Sequence, residues 1–148
     1  MKAKEYKSNF ITQLQSIYDV MEAESFFYLI LENKHQMKRI DLALEPNYEF
    51  SEEVIKVWEE LVVQLKKEIP IQYLLGNTEF CGLPFIVNEN VLIPRPETEE
   101  LVEWIIQNQK SSFDSAQDDS GKIKILDIGT GSGCIAISLA KNIPNAQV

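Results

Sequence analysis

The sequence predicts an α/β chain in which a helical region precedes the start of a parallel sheet. Over residues 1–76, apolar side chains recur at the three- and four-residue steps of helices. Between residues 78 and 91 the apolar period falls to two, which indicates a β-hairpin. From Ile123 onward, a branched-aliphatic run, a glycine-rich turn and a second helical pattern follow. We therefore predict an all-α bundle at 1–76, a β-hairpin linker at 77–93 and the beginning of an α/β domain at 94–148.

Five helical segments are expected in the first part of the chain. The clearest one follows Ser51, which is a good N-cap residue. Acidic residues begin this helix and basic residues follow it, so both of its ends complement the helix dipole. Pro46 separates it from the earlier helices, and Gly76 closes the last one. The other four helices are predicted over residues 4–20, 23–33, 38–44 and 71–75.

The second part of the chain is predicted to alternate helix and strand. A proline-rich corner at residues 93–96 precedes a helix over 97–108, and the polar stretch 110–122 is expected to be a mobile loop to which we assign no function. The aliphatic run over 123–128 is typical of a buried parallel strand, and a helix and a second strand follow it. This order predicts the beginning of a Rossmann-like sheet.

Composition and charge restrict the classes of partner and site. Fourteen Lys and Arg residues stand against twenty-three Asp and Glu residues, and the net charge of −9 disfavours direct nucleic-acid binding. Cys81 and Cys134 lie far apart without a CxxC motif, so the sequence predicts neither a disulfide framework nor a metal site. No apolar stretch of about 20 residues occurs. We therefore expect a cytoplasmic protein that does not enter a membrane.

The segment Asp127-Ile128-Gly129-Thr130-Gly131-Ser132-Gly133 carries the strongest functional signal in the sequence. Glycines between a strand and a helix let a ligand approach the backbone closely, and the free amides that begin the helix can bind an oxygen-rich or anionic group. The carboxylate of Asp127 can in addition attract a cationic group, such as an amino-acid ammonium. Because S-adenosylmethionine carries that ammonium together with an adenosine, it is the predicted cofactor.

Other glycine-rich motifs fit this segment less well. A P-loop needs Lys followed by Ser or Thr after its glycines, whereas Cys134 and Ile135 follow Gly133 here. A dinucleotide-binding motif places its third glycine at the position of Cys134, which weakens a dehydrogenase interpretation without excluding it. A turn that serves only strand-to-helix packing is a further alternative, although three glycines and a strand-end acid exceed what packing needs.

Three motifs together resemble the HemK/PrmC family. They are Pro70-Ile-Gln-Tyr-Leu-Leu-Gly76, Val91-Leu-Ile-Pro-Arg-Pro-Glu-Thr-Glu99 and Leu126-Asp-Ile-Gly-Thr-Gly-Ser-Gly-Cys-Ile-Ala-Ile137. That family consists of glutamine N(5)-methyltransferases that modify the Gly-Gly-Gln loop of class I peptide chain release factors. The resemblance implies S-adenosylmethionine as the cofactor and a class I release factor as the partner. It also implies that the helices of residues 1–76 help to bind the release factor.

The resemblance also assigns candidate site residues. Those expected along the cofactor, beside the strand-end Asp127, are Gly129, Thr130, Gly131, Ser132 and Gly133. Those expected near the pocket, in the segment that leads into the catalytic domain, are Arg95, Glu97, Thr98 and Glu99. Two prolines flank Arg95 and restrict its backbone, which favours a functional role, and an ion pair with Glu97 or Glu99 is the structural alternative.

The sequence departs from the family in two features that the reaction needs. The Asn-Pro-Pro-Tyr motif, whose asparagine and proline carbonyl would accept the hydrogens of the substrate amide, does not occur in the 148 residues. The acidic residue expected about 20 positions after the glycine turn, which would hold the ribose hydroxyls, is also missing. No catalytic residue is therefore assigned, and we expect a truncated, inactive form of the enzyme.

Two other functions stay open on the sequence alone. The chain could be a helical protein-interaction module with a vestigial cofactor motif. It could also belong to an amino-methyltransferase that acts on adenine or on another protein amide. The Pro-Arg-Pro-Glu-Thr-Glu string argues against this last interpretation.

Four single residues carry further predictions. His35 is expected to be an exposed bystander because polar residues surround it at a helix end. Cys134 is expected to be a small buried packing residue. Trp58 and Trp104 lie within helical apolar stripes and are predicted to be core residues.

Overall fold

The computed structural model describes residues 1–109 and 123–148, so the loop predicted at 110–122 lies outside the described residues. The chain divides into two units, Met1–Leu75 and Gly76–Val148. The elements of the first unit are α1 (Ala3–Leu14), α2 (Val20–His35), α3 (Arg39–Leu44), α4 (Glu52–Leu65) and α5 (Ile71–Leu75). Those of the second are β1 (Asn77–Phe80), β2 (Leu83–Ile86), α6 (Pro96–Gln109), β3 (Ile123–Lys124), α7 (Cys134–Asn142) and β4 (Ala146–Gln147). None of the helices in the described ranges has the length and apolarity needed to cross a bilayer.

Side-chain hydrogen bonds cap the N-termini of α2 and α4. α1 ends well before residue 20, the predicted end, because a second helix already begins at Val20. The Asp19 side chain caps that second helix by accepting a hydrogen bond from the Glu22 N–H at 2.8 Å. The predicted N-cap of α4 is confirmed, since Ser51 Oγ accepts a hydrogen bond from the Val54 N–H at 3.3 Å.

The core of the first unit is aromatic. Trp58 is 1% exposed, which confirms its predicted core position. Its ring centroid lies 5.7 Å from those of Tyr6 and Phe10 and 4.9 Å from that of Phe27. Aromatic pairs at such distances stabilise a core beyond the effect of buried area. Because these rings come from α1, α2 and α4, their contacts hold the three helices together.

His35 is half-buried and packs against this core, so the prediction of an exposed bystander is wrong. Its Nε2 accepts a hydrogen bond from the Trp58 Nε1–H at 3.1 Å, and its ring stacks on that of Phe50 at 5.1 Å. Burial lowers the pKa of His35 below its ordinary value. The polar neighbours of His35 along the chain concealed this role, because Trp58 lies 23 residues away and no local pattern reports the contact.

We expect the first unit to lose stability as the pH falls below about 6.5. Only neutral His35 can accept the Trp58 hydrogen bond, and its folded-state pKa lies below the unfolded value, so the unfolded chain binds the proton more readily. The stabilisation is therefore complete above the unfolded pKa and is lost as the pH falls through the folded one. His35 is the single histidine of the chain, so its imidazole resonance can be titrated by NMR without ambiguity.

Urea denaturation of the wild type and of His35→Gln between about pH 5 and pH 8 measures the effect on stability. The glutamine carbonyl still offers Trp58 an acceptor but does not titrate, and both proteins share every carboxylate. The wild type alone should therefore show the additional loss at low pH. A folded-state pKa at or above the ordinary value, or the same pH dependence in both proteins, would contradict this account of His35.

The second unit begins with the predicted β-hairpin. β1 and β2 pair antiparallel, with Phe80 opposite Leu83 at the turn. The two turn residues have positive φ values, 49° at Cys81 and 69° at Gly82. A two-residue hairpin turn of this kind matches the twist of its strands and places the strand ends in register.

β3 and β4 form a short parallel pair joined by α7, in the strand–helix–strand order that the sequence predicts. The buried strand predicted from Ile123 to Ile128 is too long. The paired residues are Ile123 and Lys124, and Leu126 and Ile128 are 83% and 85% exposed. The reason is that β4 presents two residues to β3, so the backbone beyond Ile125 has no strand beside it within the described residues.

The core of the second unit joins the hairpin to α6 and α7. Phe80, Val102 and Leu139 are at most 1% exposed, and Cys134 is 8% exposed, which confirms its predicted burial. Trp104 is 63% exposed, so its predicted core position is wrong. It lies two positions after Val102, a step that turns a helix by about 200°, and the two side chains therefore face opposite sides of α6.

Candidate cofactor site

Residues 127–133 connect the β3 end of the parallel pair to the start of α7. Gly129, Gly131 and Gly133 have φ values of 79°, 58° and 80°. L side chains rarely adopt this left-handed conformation, so the backbone path requires glycine at all three positions. The alternation of glycines in the sequence thus corresponds to an alternation in backbone conformation.

The first two glycines leave open space above the turn. A Cβ atom placed on Gly129 would meet no other atom within 4 Å, and one on Gly131 would meet only the Gly129 carbonyl oxygen, at 3.8 Å. A Cβ on Gly133 would lie 3.2 Å from Ile137 Cδ1, so this glycine lets the turn pack tightly on α7. The open side of the turn, at Gly129 and Gly131, is where a ligand could approach the backbone.

Several backbone amides of the turn are available to such a ligand. The Gly133 N–H donates to the Thr130 carbonyl at 2.9 Å, and Thr130 Oγ1 donates to the Asp127 carbonyl at 3.2 Å. The N–H groups of Gly129, Gly131 and Ser132 donate to no other described residue. Unpaired amides in front of a helix N-terminus attract oxygen-rich or anionic groups.

Asp127 lies at the base of the turn with one carboxylate oxygen unsatisfied. The residue is half-buried, and its Oδ2 is buried without a hydrogen-bond partner among the described residues. A buried carboxylate oxygen without a partner costs free energy that a bound donor or cation would recover. The chemistry of the turn therefore fits a ligand that brings both acceptor oxygens and a positively charged donor group.

The residues predicted near the pocket are not joined to this turn. Arg95 and Glu97 are exposed, and Arg95 forms no ion pair within 4.0 Å with a described residue, so the structural alternative, an ion pair with Glu97 or Glu99, is not observed. Thr98 donates its N–H to the Arg95 carbonyl at 2.9 Å. No hydrogen bond or ion pair connects residues 95–99 to residues 127–133 in the described part of the chain.

Glu99 instead holds the hairpin turn against α6. Its Oε1 accepts a hydrogen bond from the Cys81 N–H at 3.0 Å. Burial, above all, raises the pKa of the Cys81 thiol, and the carboxylates of Glu99 and Glu103 add to this shift. The thiol therefore stays protonated and unreactive at neutral pH. The residues lie 18 positions apart, so sequence reasoning had no local signal for this contact.

The helical unit matches a known family model. Residues 8–76 match the PrmC N-terminal domain. Over its whole length the chain is 58% identical to the release factor glutamine methyltransferase of Flavobacterium psychrophilum, of which it covers 50%. The chain belongs to the PrmC family.

Two further PrmC relatives are less identical but are covered over a similar share of their length. The release factor glutamine methyltransferase of Bacteroides thetaiotaomicron is 40% identical over 91% of this chain, which covers 45% of that protein. The protein of the same name from Streptococcus pneumoniae is 40% identical over 100% of this chain, which covers 49% of it. The chain thus spans about half the length of the PrmC relatives it matches, and that half is the N-terminal one.

Removal of the Glu99 carboxylate should destabilise the second unit. We expect Glu99→Ala to lower its free energy of unfolding by about 1–2 kcal/mol, because the Cys81 N–H loses a charged acceptor. The matched control is Glu97→Ala, since Glu97 is exposed and lies in the same first turn of α6. Both variants lose the same favourable interaction with the helix dipole.

Thermal unfolding together with hydrogen exchange at the Cys81 amide measures this difference. Glu97→Ala should change stability by no more than about 0.5 kcal/mol. Equal destabilisation by the two variants, or unchanged protection of the Cys81 amide in Glu99→Ala, would show that the hydrogen bond does not hold the turn.

Proposed function

We propose that this chain contributes the release-factor-binding helices and the cofactor turn of an S-adenosylmethionine-dependent release factor glutamine methyltransferase. The observation that carries the proposal is 58% identity along the whole chain to a protein of that name. The proposed substrate is the glutamine of the Gly-Gly-Gln motif in class I peptide chain release factors. A cytoplasmic location follows, because release factors act on ribosomes.

The cofactor assignment rests on the chemistry of the glycine turn. The N–H groups of Gly129, Gly131 and Ser132 can donate to acceptor oxygens of the bound molecule, and the open side of the turn gives it access to the backbone. The unpaired Oδ2 of Asp127 can accept from its ammonium group. S-adenosylmethionine combines a cationic amino-acid end with a carboxylate and ribose oxygens, and when bound it supplies the methyl group from its sulfonium centre.

In this proposal the two units have different tasks. The helical domain, predicted as residues 1–76, binds the release factor. The family model that matches residues 8–76 supports the extent of this domain. The second unit binds the cofactor through the turn at 127–133, with Arg95, Glu97, Thr98 and Glu99 in the segment before it. The net charge of −9 favours a basic or neutral protein partner over a nucleic acid.

Release-factor binding and methyl transfer are expected to require different parts of the enzyme. The sequence contains no Asn-Pro-Pro-Tyr motif, whose acceptors would orient the substrate amide toward the methyl group. We therefore expect residues 1–148 by themselves to bind a release factor without methylating it. A helical interaction module with a vestigial cofactor motif would also bind a protein, but it would not respond to S-adenosylmethionine.

A competition assay tests the substrate assignment. A class I release factor is incubated with radiolabelled S-adenosylmethionine and the active Flavobacterium psychrophilum methyltransferase, with increasing amounts of this chain. The chain should lower the rate of methylation by sequestering the release factor, and excess release factor should restore the rate. Unchanged methylation at a large excess of the chain would contradict the substrate assignment, and methyl transfer by the chain alone would contradict the predicted inactivity.

Backbone NMR tests the cofactor assignment. S-adenosylmethionine should shift the amide resonances of residues 127–133, whereas ATP should not. Asp127→Asn should weaken this binding by about tenfold, because it removes the anion beside the ammonium group. The control Glu79→Gln removes one exposed acid of the same unit, outside the segments predicted near the pocket, and should leave the binding unchanged. Equal shifts with ATP, or no effect of Asp127→Asn, would count against the assignment.

A further inference from the structure

A basic pocket opens on the surface of the helical unit. It has a volume of about 400 Å³ and lies between α1, α2 and α3. Its polar lining consists of Lys4, Lys7, Ser8, Tyr28 and Arg39, and Leu42 and Ala43 complete the wall. Lys4 and Lys7 lie three positions apart on α1, so they share one helix face. Arg39 begins α3 and approaches from the opposite side.

The cations of this pocket outnumber the acid that neutralises them. Glu24 forms ion pairs with Lys7 and, at 3.8 Å, with Arg39. Lys4 forms no ion pair with a described residue. Three positive side chains and one negative side chain leave the pocket with a positive excess of two, in a chain whose net charge is −9. The pocket is therefore a local exception to the charge of the whole protein.

Tyr28 holds two of the cations in place before any ligand arrives. Lys7 Nζ donates to Tyr28 Oη at 3.0 Å and lies 4.8 Å from the ring centroid. The Arg39 guanidinium carbon lies 5.1 Å from the same centroid. Cation–π contacts at these distances restrict both side chains, so less conformational entropy is lost when they bind an anion. Arg39 remains 73% exposed, and its guanidinium is open to a ligand.

The charges persist at neutral pH. Partial burial acts to lower the pKa of Lys7, but its hydrogen bonds to Glu24 and Tyr28 raise the pKa above the ordinary value. The hydrogen bond from Lys7 holds the pKa of Glu24 below its usual range. The ion pair and the remaining positive excess are thus both present under physiological conditions.

The surroundings favour a single carboxylate over a polyanion. The acidic surface of the chain repels a nucleic-acid backbone, which extends over many charges. A single carboxylate that lies within about 8 Å of the pocket, the Debye length, is attracted mainly by the cations of the pocket, because salt screens the more distant acidic residues. We propose that this basic pocket binds an Asp or Glu side chain on the surface of the protein partner. The proposal rests on the function proposed above, in which that partner is a class I release factor, and it assigns one polar contact of the interface.

A charge-matched pair of double variants tests the proposal. Lys4→Gln/Arg39→Gln removes the two exposed cations of the pocket and leaves Lys7, which joins α1 to α2. Lys56→Gln/Lys67→Gln changes the net charge equally at exposed positions outside the pocket. We expect the pocket variant to bind a class I release factor about fivefold to tenfold more weakly than the wild type, as measured by calorimetry.

The control variant should bind like the wild type, and high salt should reduce the difference between the wild type and the pocket variant. If the wild type binds and the two variants bind equally well, the pocket proposal is wrong while the proposed function stands. If the wild type does not bind the release factor at all, the proposed function fails, and a titration independent of the partner decides on the pocket.

That titration uses a capped, otherwise neutral peptide with a single glutamate and inorganic phosphate as probes, followed by NMR of the wild type. Shifts confined to residues around the pocket, larger with the peptide and absent in the Lys4→Gln/Arg39→Gln variant, support a carboxylate site. A stronger response to phosphate than to the peptide would overturn the choice of a carboxylate. Shifts spread over the surface, or no shift at these residues, would overturn the pocket itself.

Discussion

The hydrogen bond from the Trp58 indole to His35 is the interaction on which the helical unit depends. A buried indole N–H without an acceptor costs free energy, and His35 Nε2 is its acceptor at 3.1 Å. This bond connects the C-terminal end of α2 to the middle of α4, while the Trp58 ring contacts α1 through Tyr6 and Phe10. The arrangement of α1 against α2 in turn determines how Lys7 meets Tyr28 in the basic pocket. The pocket is thus a surface consequence of the aromatic core.

Backbone conformation has the corresponding role in the second unit. A parallel strand pair needs a crossover, and here α7 provides it between β3 and β4. The turn before α7 contains three left-handed glycines, and this path leaves amides at Gly129, Gly131 and Ser132 without partners among the described residues. The same geometry that starts the helix therefore creates the donors proposed for the cofactor. A side chain at Gly131 would strain the left-handed backbone and would also reduce the open space through which the cofactor reaches the backbone.

Local charge and whole-chain charge have opposite signs in this protein. The net charge of −9 repels polyanions at long range, and salt screens this repulsion beyond about 8 Å. Within that distance, the placement of a few side chains decides what binds. Lys4 and Arg39 create a positive site, whereas Asp127 offers a negative oxygen beside the glycine turn.

The sequence by itself determined the features that depend on a few neighbouring residues. The N-cap of α4, the hairpin turn, the glycine turn and the strand–helix–strand order follow from propensities and spacings within one element or its ends. The tertiary structure decided what lies across elements: His35 pairs with Trp58, Glu99 accepts from Cys81, and Trp104 faces outward. The physical reason is that periodicity defines the faces of a helix, but only packing determines which face is covered and which distant partner satisfies a polar group.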